Sequence, residues 1–328
     1  MKAPELLAPA GTLKHIDHAL AFGADAVYAG IPRYSLRVRN NDFHRLETLA
    51  EGIRRVRAAG RRFFLAVNVL PHNAKLATFL ADMEPVVALS PDALILADPG
   101  LILLVRERWP ELPVHLSVQA NTLNHAAVRF WERQGIRRVI LSRELSIEEI
   151  EEIRQQCPDI ELEVFVHGAL CIAYSGRCLL SGYFNHRDAN QGTCTNACRW
   201  AYRVHPARED PATGEAVPHV HTALLEESER PGEFMPIEED AQGTYILNSK
   251  DLRAIRLVER LVAIGVDGLK IEGRTKSPYY VARVTQAYRR AIDDALAGRP
   301  FDPALLTQLE NLSSRGYTEG FLARHPPQ

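Results

Sequence analysis

The sequence predicts a (β/α)₈ TIM-like barrel with a long cysteine-bearing insertion after strand 7, and three observations carry that prediction. Eight short apolar runs recur along the 328 residues, helical patterns lie between them, and the runs are continuous rather than alternating. A continuous apolar run suits a parallel strand buried on both faces, and strands alternating with helices suit a closed parallel barrel. A doubly wound open sheet would satisfy the same alternation and is the alternative.

The runs lie near residues 5–9, 25–29, 62–69, 92–97, 113–119, 137–142, 160–166 and 268–271. Four share one plan, in which a helix-stopping Gly or Pro precedes the run and a polar residue or Gly closes it: residues 23–30, 91–98, 135–142 and 265–273. Thr12 can cap a helix over 13–22 that Gly23 ends, and Ser146 with Glu149 forms a capping box for 147–156. Asn248 or Ser249 is expected to start a helix carrying Leu252, Ile255, Val258, Leu261 and Val262 on one face, stopped by Gly265. The last long helix is expected near 277–297, and a short helix and tail over 301–328. The expected division is a first part of the barrel over 1–166, a cysteine-rich and acidic insertion over 167–248, and the end of the barrel over 249–300. An insertion of that length is far beyond the usual few residues of a strand-to-helix loop, and such loops overhang the catalytic mouth of a barrel.

Composition narrows the class. With 46% apolar and 24% charged residues, the chain is neither disordered nor collagenous, and no apolar run reaches membrane-spanning length. Five cysteines in so long a chain do not make a secreted disulfide scaffold, so the expected compartment is the cytoplasm. The net charge of −2 hides a division, because residues 209–240 hold ten acids and one base, Arg230. The rest of the chain is therefore basic, which is compatible with an anionic partner.

The strongest chemical signal is Cys171-x₆-Cys178-x₁₅-Cys194-x₃-Cys198. Four thiolates on one loop can converge on a metal centre, and soft sulfur suits an iron–sulfur cluster or zinc. Structural zinc sites show paired C-x₂₋₄-C knuckles, which only Cys194 and Cys198 match, so the spacing favours a cluster, with structural zinc as the alternative. Cys157, outside this group, reads as an ordinary thiol at a helix end.

Polar residues stand at nearly every strand end, where a barrel carries its active groups: Asn68, Asp98, Gln119, Asn121, Ser142, Arg143, Glu144, His167, Lys270, Glu272 and Arg274. Of these, Arg143, Glu144, His167, Lys270, Glu272 and Arg274 are the catalytic candidates, with Asn68, Gln119 and Asn121 as substrate-binding ones. On the loop after the second strand, Arg33, Arg37 and Arg39 interleave with Tyr34, a pattern that suits phosphate and base contacts to RNA. There is neither an HExxH zinc site nor a G-x-S-x-G elbow.

Several of these segments together resemble the collagenase-like peptidase family U32: Glu5-Leu6-Leu7-Ala8-Pro9-Ala10-Gly11, residues 24–30 and 34–41, His115-Leu116-Ser117-Val118-Gln119-Ala120-Asn121, the cysteine segment, residues 248–252 and Lys270-Ile271-Glu272-Gly273-Arg274. The resemblance runs over essentially the whole chain, and the family's four cysteines map onto Cys171, Cys178, Cys194 and Cys198. Residues 190–200 and 315–321 most resemble the branch of the family that acts on tRNA. That resemblance implies oxygen-independent hydroxylation of the wobble uridine in the tRNA anticodon region to 5-hydroxyuridine. It also implies prephenate as the source of the hydroxyl and a [4Fe–4S] cluster on the four cysteines. The carboxylates of prephenate call for cations, for which Arg143, Arg177, Lys270 and Arg274 are the candidates. Another branch takes part in anaerobic ubiquinone hydroxylation and is the alternative, followed by peptidase activity with Cys171 and His167 as a nucleophile and its base.

Overall fold

A computed structural model of the chain describes residues 2–36, 41–171, 173–179, Ser181, Arg187, Gln191, Cys194, Thr195, 250–314 and 316–323, with the backbone of six short strands between 207 and 245. The chain divides into two compact units, residues 1–195 with 250–328, and residues 196–249.

The first unit is a closed barrel. In order come β1 (Glu5–Pro9), α1 (Leu13–Ala21), β2 (Ala26–Gly30), α2 (Leu46–Ala58), β3 (Arg62–Ala66), α3 (Asn73–Val87), β4 (Ala93–Leu96), α4 (Pro99–Arg108), β5 (Val114–Leu116), α5 (His125–Arg133), β6 (Arg138–Ile140), α6 (Ile147–Gln156) and β7 (Glu161–Ala169). The second unit contributes β8 (Ala207–Glu209) with β9 (Ala216–Pro218), β10 (Leu224–Glu226) with β11 (Phe234–Pro236), and β12 (Glu238–Asp240) with β13 (Gly243–Tyr245), three separate antiparallel pairs. The first unit resumes with β14 (Asp251–Arg253), α7 (Val258–Ile264), β15 (Gly268–Ile271), α8 (Pro278–Leu296), α9 (Ala304–Glu310) and β16 (Tyr317–Thr318). Strands β1 to β7 pair in sequence, all parallel, and β15 pairs with both β7 and β1 to close the ring. Closure removes every free strand edge from the eight-stranded core. Each expected apolar run is one of these eight strands.

Local chemistry sets the helix ends. The Thr12 hydroxyl accepts from the His15 amide, and Ser146 and Glu149 form the expected reciprocal box, with Ser146 N donating to the Glu149 carboxylate at 2.7 Å. Asp98 caps α4, accepting from Leu101 N at 2.9 Å, so this strand-end carboxylate is engaged by the helix and not by the mouth.

Two elements differ from expectation. Residues 251–253 form β14, antiparallel to the end of β7, and the helix starts only at Val258 after a 3₁₀ turn at Ile255–Leu257. The long β7 runs on past its barrel partners, and β14 supplies hydrogen bonds to that overhang. Leu252, Ile255 and Val258 are all buried, so their helical spacing reflects burial and not a single helix. Residues 317–318 are the second difference: β16 pairs in parallel with β14, and Leu305, Leu309, Leu312 and Leu322 pack into the core.

Candidate functional site

The barrel interior carries charge. Arg138 on β6 is 1% exposed and reaches three carboxylates: Glu5 Oε2 at 2.6 Å, Glu163 Oε2 at 3.0 Å and Glu161 Oε2 at 2.8 Å. Glu5 takes a second cation from Arg62 on β3 at 2.6 Å. The other oxygen of Glu163 accepts from Lys270 Nζ at 2.7 Å, and both side chains are buried. The result is an alternating series, Arg62, Glu5, Arg138, Glu163, Lys270, in which each buried charge has an opposite neighbour. Such pairing is what permits charge in a low-dielectric interior at all.

The pairing fixes the protonation of the series. Burial works to raise the Glu163 carboxyl, but Lys270 and Arg138 outweigh it and hold it below the usual range. At Glu5 burial wins over Arg138 and Arg62, and its pKa is raised. Burial lowers the Lys270 ammonium and Glu163 opposes that, while Arg138 and Arg274 add to the lowering. His115 on β5, edge-on to Phe64 at 4.7 Å, is held neutral by burial and by Arg138, Lys270 and Arg62.

Above this series, Lys270 Nζ lies 4.3 Å from the centre of the Tyr28 ring, and the Arg274 guanidinium lies 5.5 Å from the same ring. Arg274 donates to Ser35 Oγ at 2.8 Å. Arg143 stacks on Phe165 at 4.0 Å and approaches the Glu272 carboxylate at 3.7 Å. Ser142 Oγ donates to the Glu144 carboxylate. Phe165 also faces Lys270, at 5.6 Å, so one aromatic ring joins Arg143 to Lys270, and Tyr28 joins Lys270 to Arg274. Thus Arg143, Lys270, Glu272 and Arg274 come together, three cations and one carboxylate at the C-terminal ends of the strands, where a barrel does its chemistry.

The polar amides stand on the neighbouring strand ends. Asn68 accepts from Leu36 N at 3.4 Å and donates to Ser117 Oγ at 3.3 Å. Asn121 sits in the left-handed region at φ 51°, and its Nδ2 donates to Gln119 O and to Ser175 O at 2.9 Å. The second bond ties the cysteine segment to the loop after β5. Asn121 Oδ1 and Gln119 Oε1 are buried and have no hydrogen-bond partner among the described residues. An unpaired buried acceptor costs about 1–3 kcal/mol, so these two are candidates for ligand contact.

His167 is placed elsewhere. The register slips between Lys270 and Ile271, so Ile271 pairs with His167 and Phe165 alone faces Lys270. The His167 ring lies 5.8, 5.4 and 5.5 Å from Tyr280, Tyr288 and Tyr317, and its Nδ1 is 3.3 Å from the Tyr288 hydroxyl. Burial, with Arg253 and Lys276 beside it, pushes it down to about 3, so it is neutral near pH 7. The structure therefore packs His167 against α8 instead of grouping it with the mouth cations.

The loop after β2 is anchored to α3. Tyr34 is 1% exposed, its ring edge-on to Phe79 at 5.2 Å and its hydroxyl donating to Asp82 at 2.5 Å. Arg33 pairs with the same carboxylate at 3.2 Å. Tyr34 thus offers no open face for a base; Arg37 and Arg39 lie outside the described residues.

Cys171 is exposed, while Cys178 and Cys194 are half-buried. Arg177, between the first two, is exposed, and Cys198 lies outside the described residues. Thr195 N donates to Ser181 Oγ at 3.0 Å within the segment, and Gln191 Nε2 donates to Leu70 O, a second tie to the barrel besides that of Asn121 to Ser175. The thiols are the soft donors that a cluster or zinc needs. Among the described residues, no three His, Cys, Asp or Glu side chains converge closely enough to hold a metal ion.

Sequence reasoning missed Glu5, Arg138 and Glu163, and Tyr28 and Ser35 that hold the mouth cations. Glu161-Leu162-Glu163-Val164-Phe165 does alternate, and that period-2 pattern marks an inward-facing charged row.

The family model described as Peptidase family U32 matches residues 11–328. The chain is 62% identical over 343 residues to the tRNA hydroxylation protein P of Escherichia coli (strain K12), covering 99% of this chain and 76% of that one. It is 58% identical over 343 residues to the tRNA hydroxylation protein P of Haemophilus influenzae (strain ATCC 51907 / DSM 11121 / KW20 / Rd), covering 98% and 74%. To the tRNA hydroxylation protein P of Helicobacter pylori (strain J99 / ATCC 700824) it is 38% identical over 327 residues, covering 99% and 73%.

Proposed function

The chain belongs to peptidase family U32, and from that premise we propose that it is a tRNA-modifying hydroxylase. The observation that carries this is the 62% identity, over 99% of the chain, to a protein named for tRNA hydroxylation. In finer detail, the proposal is oxygen-independent hydroxylation of the wobble uridine at C5, with the hydroxyl derived from prephenate and the reaction taking place in the cytoplasm. No helix among the described residues is long and apolar enough to cross a membrane.

The mouth chemistry supports an anionic donor. Arg143, Lys270 and Arg274 lie within one aromatic-bridged group, so a dicarboxylate entering there meets fixed positive charge instead of mobile surface cations. Arg143 suits one carboxylate and Arg274 the other, each being a planar donor able to form two parallel hydrogen bonds. Glu272 limits the excess positive charge and orients Arg143. Asn121 Oδ1 and Gln119 Oε1 supply acceptors that suit the N–H of a uracil ring.

We assign Cys171, Cys178, Cys194 and Cys198 as the ligand set of a [4Fe–4S] cluster, which when bound would supply electron transfer. A peptidase reading is the weaker one, because the histidine nearest Cys171 in sequence packs against Tyr280, Tyr288 and Tyr317 instead of a nucleophile. The test is an anaerobic incubation of the purified chain with tRNA lacking the modification, with and without prephenate, followed by nucleoside mass spectrometry. Oxygenated uridine that depends on prephenate is the expected result. An oxygenated uridine formed equally well without prephenate would remove the donor assignment.

A further inference from the structure

We infer that Glu163 is a positioning residue: it holds Lys270 as an ammonium at the floor of the barrel mouth, so that an anionic oxygen donor meets a fixed positive charge there. This rests on the functional reading above, which places the donor's carboxylates among Arg143, Lys270 and Arg274.

The geometry isolates one contact. Lys270 Nζ is 2.7 Å from Glu163 Oε1, and among the described residues Glu163 is the only hydrogen-bond acceptor it reaches. Its other neighbours are aromatic faces, Tyr28 at 4.3 Å and Phe165 at 5.6 Å. These faces attract a cation but accept no full charge. The charged and titratable groups around it are Glu163 from β7, Arg138 from β6, Glu5 from β1, His115 from β5, Tyr28 from β2, and Glu272 and Arg274 beyond β15. Arg138 and Arg274 repel an ammonium, burial disfavours it, and His115 is neutral. Glu5 is committed to Arg62 and Arg138, and Glu272 approaches Arg143. Glu163 is therefore the carboxylate that opposes burial and two guanidiniums at Lys270.

Glu163 is itself held in place from below. Arg138 occupies its second oxygen at 3.0 Å, so the carboxylate can neither rotate away from Lys270 nor take up a proton readily. Gly268 lets Glu163 lie close to β15, since a Cβ there would sit 3.1 Å from Glu163 Cγ. The Arg138 and Glu163 side chains are 1% and 0% exposed, so neither is open to a donor and each acts on one through Lys270.

The experiment follows Lys270 directly. Lysines occur at Lys2, Lys14, Lys75, Lys250, Lys270 and Lys276, so the lysine ε-carbon resonances of the whole chain are few, and Lys270→Arg assigns the one of interest. In the unaltered protein that resonance should keep its ammonium position from about pH 6 to about pH 8. In Glu163→Gln it should titrate within that window, because a lost partner lowers the lysine pKa. Glu163→Asp keeps Arg138 paired and should give an intermediate midpoint, so a poorly folding Glu163→Gln leaves the question decidable. Prephenate binding by calorimetry should fall about tenfold for Glu163→Gln at pH 8 and recover by pH 6, where the ammonium re-forms. In a Lys270→Met background, Glu163→Gln should change prephenate affinity no further. An unaltered Lys270 that is already neutral at pH 8, or one whose titration is the same in all three proteins, overturns the inference. If the unaltered chain binds no prephenate, the donor assignment fails, while the lysine titration still decides the role of Glu163.

Discussion

Replacing Arg138 by Met removes the central cation of the barrel interior and leaves a side chain of similar length. Arg138 sits 2.6 Å from Glu5 and 3.0 Å from Glu163, so two buried attractions are lost at once, together with a third to the partly exposed Glu161 at 2.8 Å. At an effective dielectric of about 20, each contributes about 4 kcal/mol for charges about 4 Å apart. Against that, the variant no longer has to bury a guanidinium, a cost of several kcal/mol. Glu5 keeps Arg62 and Glu163 keeps Lys270, so neither carboxylate is left wholly unpaired. The net loss should therefore fall near the lower end of the range for breaking a buried pair, about 3 kcal/mol at pH 7.5.

The loss should also depend on pH. Without Arg138, the Glu5 carboxyl, already raised by burial, goes up further, and Glu163 loses one of the two cations that hold it low. A carboxylate raised in this way destabilises fully above its folded pKa and ceases to do so as pH falls below its unfolded one. The deficit should thus shrink between pH 7.5 and pH 5. Urea unfolding of both proteins at the two pH values measures it, and with a slope of about 2–3 kcal/mol per molar the midpoint at pH 7.5 should fall by about 1–1.5 M. A midpoint shift under about 0.3 M, or a deficit equal at both pH values, would refute the ion-series reasoning.

Three further outcomes follow from individual contacts. A Cβ on Gly30 would lie 2.6 Å from Arg274 Nη1 and would also strike Ser35, so Gly30→Ala should displace the guanidinium and weaken prephenate binding. Its stability cost should stay at about 1–3 kcal/mol, measured in the same urea series. Ser146→Ala removes half of the capping box of α6 and should cost about 1 kcal/mol in the same urea series. Cys194→Ser should reduce iron and acid-labile sulfide in anaerobically purified protein from about four each per chain; retention of both would remove Cys194 from the ligand set.

Most of the barrel was legible because its strands are buried on both faces, which forces continuous apolar runs such as Ala26–Gly30 and Ala93–Leu96. The caps at Thr12 and Ser146 were equally legible, being local chemistry. Three things were not. Leu252 and Ile255 are spaced as on a helix but take part in β14 and the turn after it, because the overhanging end of β7 needed a partner. His167 stands at a strand end, yet a register slip that leaves no mark in the sequence carries its ring to α8. Tyr34 lies among arginines, and the carboxylate that claims its hydroxyl, Asp82, is 48 residues away on α3. Of the mouth residues, Arg143, Lys270, Glu272 and Arg274 were found by position alone, while Glu163 and Arg138 beneath them needed the alternation in β7 and its register with β6 and β15.

The most direct test of tRNA hydroxylation uses cells. The chain is expressed in a bacterium whose own tRNA hydroxylation genes have been deleted, and the nucleosides of its purified tRNA are separated and weighed. A uridine heavier by one oxygen atom should return at the wobble position and disappear when Lys270 is replaced by Met. Soluble, well-expressed protein with no oxygenated uridine in any tRNA would contradict that activity.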